Sequence, residues 1–306
     1  MNEFDTLKEG YLYHCLTRKR LDAKTVRAYR TDLNDFSDHL KTQDGDYLDK
    51  KCIGCYIDTL HQSKAPRTVK RRIASLQAFY HYLVYEELIS ESPLYKLDLS
   101  FKLPQRLPRY IPNHVLSVFY QTLYEQKDQA ATDYQYGCAV RNIAVVELLF
   151  ATGLRISELC NLTLQAVRLA DRELIIHGKG DKERILQLTE DVTVTALKEY
   201  EALYRSRIAS CGYFFVNGYG NRLSDQSVRN MLNKLSAAAP VCYHITPHMF
   251  RHSFATSLVN QDVDIRCIQE ILGHSSIKTT EIYTHVDVTK QKRVLEAKNP
   301  RKLLTL

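Results

Sequence analysis

Long apolar runs are missing from this chain of 306 residues. No stretch approaches the ~18 consecutive apolar residues of a membrane span, and the amino terminus lacks the charged-then-apolar pattern of a secretory signal. The eight cysteines form no compact disulfide pattern, which favours reduced thiols inside a cell. We therefore expect a cytoplasmic protein that does not associate with membranes.

Nucleotide-binding and metal-binding motifs are missing as well. No GxxxxGK[ST] loop occurs, so we do not expect ATP to be used. No carboxylate cluster that could hold divalent metals is evident, which argues against a hydrolytic nuclease. Cys52 and Cys55 form a CxxC pair, but no second Cys/His pair lies at zinc-knuckle spacing, and we interpret the pair as packing. The sequence therefore predicts no metal and no cofactor.

Positive charge is present in moderate excess. The chain has 42 Lys and Arg against 35 Asp and Glu, a formal net charge of +7 and a pI near 8.9. This balance is compatible with nucleic acid binding, although it is also common in proteins that bind none.

A helix start near the C-terminus carries the first functional signal. Thr246 is suited to the N-cap and Pro247 to the first helical position, so a helix is predicted to begin there. His248 and Arg251 then stand three residues apart on one face of its first turn, above unpaired N–H groups. Such an arrangement suits an anion.

The following segment predicts a second helix and a turn. Residues 262–272 have apolar side chains at helical spacing, and Gly273 is placed to end the helix. His274 then lies on a tight turn, and Tyr283 lies on a predicted short helix over residues 277–284. Taken singly, such residues are more often surface histidines or core aromatics, but their ordered combination favours a site.

The order of these motifs is similar to that of one enzyme family. Residues 151–159 (ATGLRISEL) precede the HxxR, LGH and tyrosine blocks, and together these resemble the tyrosine recombinase (phage integrase) family, in particular its short, Xer-type members. The resemblance implies a site-specific DNA recombinase. It would cleave and rejoin DNA strands through a 3′-phosphotyrosyl intermediate, without metal or ATP, in DNA integration, excision or resolution.

A predicted β-hairpin contains a further candidate. Residues 174–188 read as two apolar strands joined by a Gly/Asp turn. Lys179 in that turn matches the family's catalytic lysine, and Lys182 lies close enough that the sequence leaves both open. The alternative for either residue is a solvated lysine on a turn.

The resemblance implies a chemical role for each candidate. Tyr283 would attack the scissile phosphate and release a 5′-hydroxyl. Arg155 and Arg251 would present planar forks of N–H donors to the non-bridging oxygens of the transition state. His248 would accept the proton of the tyrosine or form a hydrogen bond to the phosphate, and His274 would donate a hydrogen bond to the phosphate. Lys179 would act as the acid that protonates the leaving 5′-oxygen. Glu158 would orient the site without taking part in the chemistry.

Apolar periodicity predicts a mainly α-helical protein with two domains. In residues 1–100, spacings of three and four predict four helices, which resemble the family's core-binding, SAM-like domain. Prolines interrupt residues 101–112, which we interpret as a linker. Residues 113–306 predict an α-rich catalytic domain that begins with Asn113 as a helix cap and contains a small antiparallel β-sheet. The predicted helices of this domain include residues 137–151, 155–163, 191–205 and 224–238.

Basic residues off the apolar stripes are predicted to contact DNA phosphates and to fix register without reading bases. The alternative is a solvated helix face. The candidates are Arg18, Lys19, Lys24, Arg27, Arg67, Lys70, Arg71, Arg72, Lys102 and Arg106.

The resemblance also implies partners. Double-stranded DNA with inverted half-sites is expected, because little sequence precedes the four-helix domain and an arm-type domain would not fit there. Residues 287–306 resemble a segment that docks on a neighbouring protomer, so we expect a homo-tetramer on paired sites and a monomer or weak dimer in free solution. Accessory DNA-bending factors are a further expectation.

Two other functions remain open at this point. A DNA-binding regulator could have the same fold without cutting DNA. A type IB topoisomerase-like enzyme could nick and close DNA without pairing two sites.

Overall fold

A computed structural model describes residues 3–95, 97–103, 109–178, 183–240 and 243–273. The elements are α1 (Glu3–Thr17), α2 (Ala23–Gln43), α3 (Lys50–Ser63), α4 (Pro66–Tyr85), α5 (Asn113–Asp128), α6 (Asp133–Thr152), α7 (Ile156–Cys160), β1 (Val167–Arg168), β2 (Glu173–His177), β3 (Glu183–Gln187), α8 (Asp191–Cys211), α9 (Asp225–Ala238), α10 (Pro247–Asn260) and α11 (Ile265–Leu272). The predicted mainly helical fold with a small antiparallel sheet is confirmed. The chain divides into two compact units, Met1–Gln105 and Arg106–Leu306.

The first unit contains α1 to α4 around an aromatic core. Helix α2 begins after Asp22, whose side chain accepts a hydrogen bond from the backbone N–H of Lys24 at 2.7 Å, and α4 begins with Pro66 in its first turn. The ring of Phe4 lies 5.4 Å from the rings of both Phe36 and Phe79. Burying these three side chains ties α1 to α2 and α4.

A polar cluster joins α2 to α4 within this unit. The carboxylate of Asp32 is buried and accepts a hydrogen bond from Ser75 Oγ at 2.7 Å. Arg71 pairs with Asp32, and Arg72 pairs with Asp35. Buried charges of this kind require partners, because an unpaired charge away from water is costly.

Helix α6 is the centre of the second unit. It is apolar on almost every side, and Val140, Ile143, Val146 and Leu149 are all buried. Helices α5, α8 and α10 pack around it, which explains why its sequence lacks a polar stripe. Among the described residues, neither α6 nor any other helix is long and apolar enough to cross a bilayer.

The three-stranded sheet has the order β1-β2-β3 with antiparallel pairing throughout. Strands β2 and β3 form the predicted hairpin, and Ile176 pairs with Arg184 in its register. The two-residue strand β1 was not predicted, since so short a strand has no periodicity to recognise.

Several predicted helix boundaries differ from the structure. Helix α5 begins at Asn113 itself, and Pro112 occupies the N-cap position without a side-chain hydrogen bond. Helix α7 ends at Cys160 rather than at residue 163, because residues 161–164 form turns and a bridge. Helix α11 begins at Ile265, later than predicted. Asp264 caps it by accepting from the N–H of Arg266 at 2.7 Å.

Candidate active site

The first predicted arginine lies at a sharp junction between α6 and α7. Helix α6 ends at Gly153, whose φ of +62° belongs to the left-handed region that glycine favours. A Cβ at this position would lie 2.7 Å from Phe254 Cδ1 and 2.9 Å from Leu272 Cδ2. Glycine thus allows the chain to turn closely past α10 and α11, and Arg155 follows as the N-cap residue of α7.

Glu158 holds Arg155 in this position. Its carboxylate accepts hydrogen bonds from the Arg155 backbone N–H at 3.0 Å and from Arg155 Nη1 at 2.7 Å. The Glu158 side chain is only 6% exposed, whereas that of Arg155 remains 35% exposed. The carboxylate therefore supports the guanidinium from the protein side, and the guanidinium stays accessible to a ligand.

The second predicted arginine lies near the start of α10, as its fifth residue. Thr246 is the N-cap residue and Pro247 the first helical residue, as predicted, although the Thr246 side chain makes no capping hydrogen bond. Arg251 is buried, and its Nη1 and Nη2 donate to the carbonyls of Gly153 at 2.9 Å and Leu272 at 2.7 Å. Arg251 thereby joins the ends of α6 and α11.

Three guanidinium groups meet the C-terminal end of α11. Arg184 Nε donates to the carbonyl of Ile271 at 3.0 Å, Arg251 Nη2 to that of Leu272, and Arg155 Nη2 to that of Gly273 at 3.1 Å. The last carbonyls of a helix lack intrahelical donors and carry the negative end of its dipole, so cations are stabilised there. Arg155 and Arg251 are thus brought to neighbouring carbonyls of one helix end.

Arg184 was not among the sequence candidates. It lies in β3, where Glu183 and Ile185 are exposed while Arg184 and Leu186 point inward. An arginine on the inward face of a short strand was the available signal, because that face of a half-buried sheet is normally apolar.

His248 lies near both predicted arginines and is exposed to solvent. Partial desolvation, together with the positive charges of Arg251, Arg229 and Arg155, lowers the pKa of His248 below its ordinary value. Half-buried His252 has a pKa lowered to about 4, through burial and then through His248 and Arg251. Both imidazoles are therefore neutral near pH 7.

The remaining predicted site residues lie outside the described residues. These are Lys179, Lys182, His274 and Tyr283. The described chain reaches Gly178 at the end of β2 and Gly273 at the end of α11, which are the immediate neighbours of Lys179 and His274.

Comparison with known proteins identifies the family. Residues 121–290 match the phage integrase family, and residues 9–87 match the phage integrase N-terminal SAM-like domain. The chain belongs to the phage integrase family. It is a tyrosine recombinase, an enzyme that transfers DNA strands in site-specific recombination, and the prediction made from its motifs is confirmed.

Relatives of this recombinase match it from end to end. A tyrosine recombinase of Agathobacter rectalis is 48% identical over 302 residues, which are 99% of each chain. Tyrosine recombinase XerD of Listeria innocua is 33% identical, over 96% of this chain and 99% of the relative. A crystal structure of XerH site-specific recombinase bound to a palindromic difH substrate has a TM-score of 0.74 at 22% identity, covering 96% of this chain and 85% of that one. This last likeness concerns the fold.

The structure separates the predicted phosphate contacts of the recombinase into two groups. The exposed residues are Arg18, Lys19, Lys24, Arg27, Arg67, Lys70, Arg71 and Lys102, and Arg106 lies outside the described residues. Arg72 differs from them, because its side chain is only 10% exposed and pairs with Asp35. Its helical position explains this, since it lies three residues after buried Val69 and one before buried Ile73.

Proposed function

We propose that this recombinase cleaves a DNA strand by attack of Tyr283 on the scissile phosphate, while Arg155 and Arg251 stabilise the negative charge of the transition state. The observation that supports this is the meeting of the two guanidiniums at the Leu272 and Gly273 carbonyls, close enough to His248 for both charges to lower its pKa. Donors fixed before the reaction need no reorganisation when charge develops.

The other roles follow from the chemistry of the side chains. His248, as a neutral imidazole, can accept the proton of the tyrosine or donate to the phosphate. His274 directly follows the carbonyl that accepts from Arg155, and we propose it as a second phosphate donor. Lys179 is the proposed acid for the leaving 5′-oxygen, with Lys182 as the alternative. A phosphotyrosyl ester conserves the phosphodiester bond energy, so a 5′-hydroxyl can reverse the reaction without ATP or metal.

We propose double-stranded DNA with inverted half-sites as the substrate. The palindromic difH substrate in the XerH crystal structure supports this arrangement. On paired sites the recombinase would form a tetramer in which residues 287–306 dock on a neighbouring protomer, whereas the free protein would be a monomer or a weak dimer. Accessory DNA-bending factors and a cytoplasmic location remain predictions.

Exposed basic residues are proposed to contact phosphates. The first unit presents Arg67 and Lys70 in the first turns of α4, and Arg27 on α2, all with exposed side chains. Such contacts supply affinity that falls with rising salt but no discrimination between bases. Arg72 is omitted from this proposal because its charge is buried and paired.

A nicked suicide duplex tests the proposed chemistry directly. Loss of the short fragment beyond the nick prevents rejoining, so a covalent protein–DNA band should accumulate with wild-type protein in EDTA and vanish with Tyr283→Phe. Specific binding without any band would instead indicate a DNA-binding regulator. A requirement for added magnesium would contradict the metal-free mechanism.

A second assay separates recombination from nicking and closing. Wild-type protein should exchange strands between two cognate sites on one plasmid. Relaxation of supercoils without exchange would instead support a type IB topoisomerase-like activity.

A further inference from the structure

Arg184 occupies a position where three parts of the proposed active site meet. It belongs to β3, the strand that follows Lys179 in the sequence. Its Nη1 and Nη2 donate to Glu158 Oε1 at 3.2 Å and Oε2 at 2.9 Å, and its Nε donates to the carbonyl of Ile271 at 3.0 Å. The Arg184 side chain is only 14% exposed, so its guanidinium contacts other protein groups and is largely shielded from solvent.

We propose that Arg184 is a positioning residue of the active site, which fixes Glu158 and the end of α11 relative to the hairpin and thereby sets the aim and the effective charge of Arg155. This inference depends on the role of Arg155 advanced under Proposed function.

Arg184 affects the charge of Arg155 through Glu158. Glu158 is the shared acceptor of Arg155 and Arg184, so the cluster contains two positive charges and one negative charge. With Arg184 present, the carboxylate does not neutralise Arg155 alone, and positive potential remains for a phosphate. Burial raises the pKa of Glu158, but the hydrogen bonds from Arg184 and from the Arg155 backbone outweigh burial and lower it overall. The carboxylate therefore stays ionised.

Arg184 also fixes the orientation of the Glu158 carboxylate. A planar guanidinium that donates to both oxygens of a carboxylate fixes its orientation, as a lysine ammonium cannot. The same Glu158 oxygens accept from the N–H and Nη1 of Arg155. Any rotation of the carboxylate would therefore be transmitted to the guanidinium that is proposed to face the phosphate.

Gly273 gives an independent indication that this packing is tight. It ends α11 with a φ of +64°, and a Cβ there would lie 2.7 Å from Arg184 Nη1 and 2.9 Å from Cζ. The guanidinium of Arg184 thus packs against the backbone just before His274. Glycine at this position meets both requirements, the left-handed backbone and the close approach.

Arg184→Lys, which keeps the charge but loses the planar fork, tests the proposal. In single-turnover cleavage of the suicide duplex we expect a rate lower by about 100-fold, the scale of loss from misplaced catalytic groups. The dissociation constant for the site and the melting temperature should change little. Arg168→Lys is the matched control, because Arg168 lies in the same sheet with an exposed side chain 3.8 Å from Glu173, and it should cleave like wild type.

A double-mutant cycle distinguishes positioning from simple structural support. If Arg184 acts through Glu158, then Arg184→Lys combined with Glu158→Gln should cleave no more slowly than the slower single variant. If the losses in cleavage free energy of the two single variants add in full in the double variant, Arg184 does not act through Glu158, and the proposal is overturned. Glu158→Gln provides a second variant should Arg184→Lys unfold at the assay temperature, and in that case a wild-type cleavage rate in Glu158→Gln would overturn the proposal.

The assay separates failure of this inference from failure of the proposed function. Absence of a covalent band with wild-type protein would overturn the tyrosyl mechanism and, with it, the premise for Arg184. A normal wild-type band that is lost in Tyr283→Phe, together with undiminished cleavage by Arg184→Lys, would overturn the positioning role alone.

Discussion

Arg155 and Glu158 are joined by two hydrogen bonds, one from the backbone N–H of Arg155 and one from its side chain. The first bond satisfies a backbone N–H at the start of α7, and the second orients the guanidinium. One carboxylate therefore determines both where the helix begins and where the arginine points. Substitution of Glu158 would disturb both together.

Loss of either proposed catalytic arginine should reduce cleavage far more than binding. Arg155→Ala removes a preplaced donor, which typically raises the barrier by ~3–4 kcal/mol and lowers the rate by 10²–10³-fold. For buried Arg251 the safer variant is Arg251→Lys, which keeps a charge near the Leu272 carbonyl. Gel shifts and single-turnover cleavage on the same duplex provide the comparison, and equal losses in both assays would contradict the assignment.

The ion pairs of Glu158 should make stability depend on pH. Because its folded-state pKa lies below the ordinary 4.5, the ionised carboxylate stabilises the fold above that value, and this stabilisation is lost as pH falls through the lowered pKa. Glu158→Gln should be less stable than wild type at neutral pH. The difference in melting temperature should narrow as pH falls below 4.5, and a constant difference would argue against the assignment.

Gly153→Ala should destabilise the protein more than Gly212→Ala. Both glycines have left-handed backbones, with φ of +62° and +76°, so each substitution introduces ~1–2 kcal/mol of backbone strain. Only at Gly153 would the new methyl meet Phe254 and Leu272, which should add ~1–3 kcal/mol of overpacking. Nothing in the described part of the chain lies within 4 Å of a Cβ at Gly212. Urea unfolding of both variants measures the difference.

The identity of the acid can be decided chemically. A substrate with sulfur in place of the bridging 5′-oxygen has a leaving group that needs no proton. Lys179→Ala should therefore cleave normal DNA slowly and the sulfur substrate at nearly the wild-type rate, whereas Lys182→Ala should cleave both normally. The opposite pattern would assign the acid to Lys182, and no rescue of either variant would exclude both.

Arg67 and Arg72 should behave differently despite belonging to the same helix. Arg67→Ala should lower the slope of log affinity against log salt by about 0.9, as expected for one lost phosphate contact. Arg72→Met should leave that slope unchanged and destabilise the first unit by ~2 kcal/mol, because Asp35 loses its paired guanidinium and keeps only the hydrogen bond from Tyr56. Salt titrations and thermal melts distinguish the two, and a reduced slope for Arg72→Met would contradict this reading.

The long periodic elements could be predicted from the sequence because burial repeats along them. Val69, Ile73, Leu76, Tyr80 and Leu83 are all buried on α4, at the predicted helical spacing. The start of α10 could be predicted from Thr246 and Pro247, because an N-cap residue followed by proline favours a helix start through local backbone preferences and does not depend on tertiary contacts.

Long-range contacts could not be predicted in this way. The partners of Arg184 are Glu158, 26 residues away, and Ile271, 87 residues away, and no local pattern relates them. The sequence predicted Arg72 to be a surface charge. Helical periodicity indicates on which face of a helix a side chain lies, but it does not show which carboxylates of other helices lie opposite that face. Asn113 is a good capping residue, but the helix starts at it and not after it.

The arginine acceptors at the end of α11 are backbone carbonyls, which every amino acid possesses. Substitutions at Ile271 or Leu272 therefore leave these acceptors in place, provided that the helix still packs. Insertion or deletion of one residue within α11 would instead rotate its last carbonyls by about 100° and shift them by about 1.5 Å, away from all three guanidiniums. This part of the enzyme is thus tolerant of changes in side-chain identity and intolerant of changes in helix length.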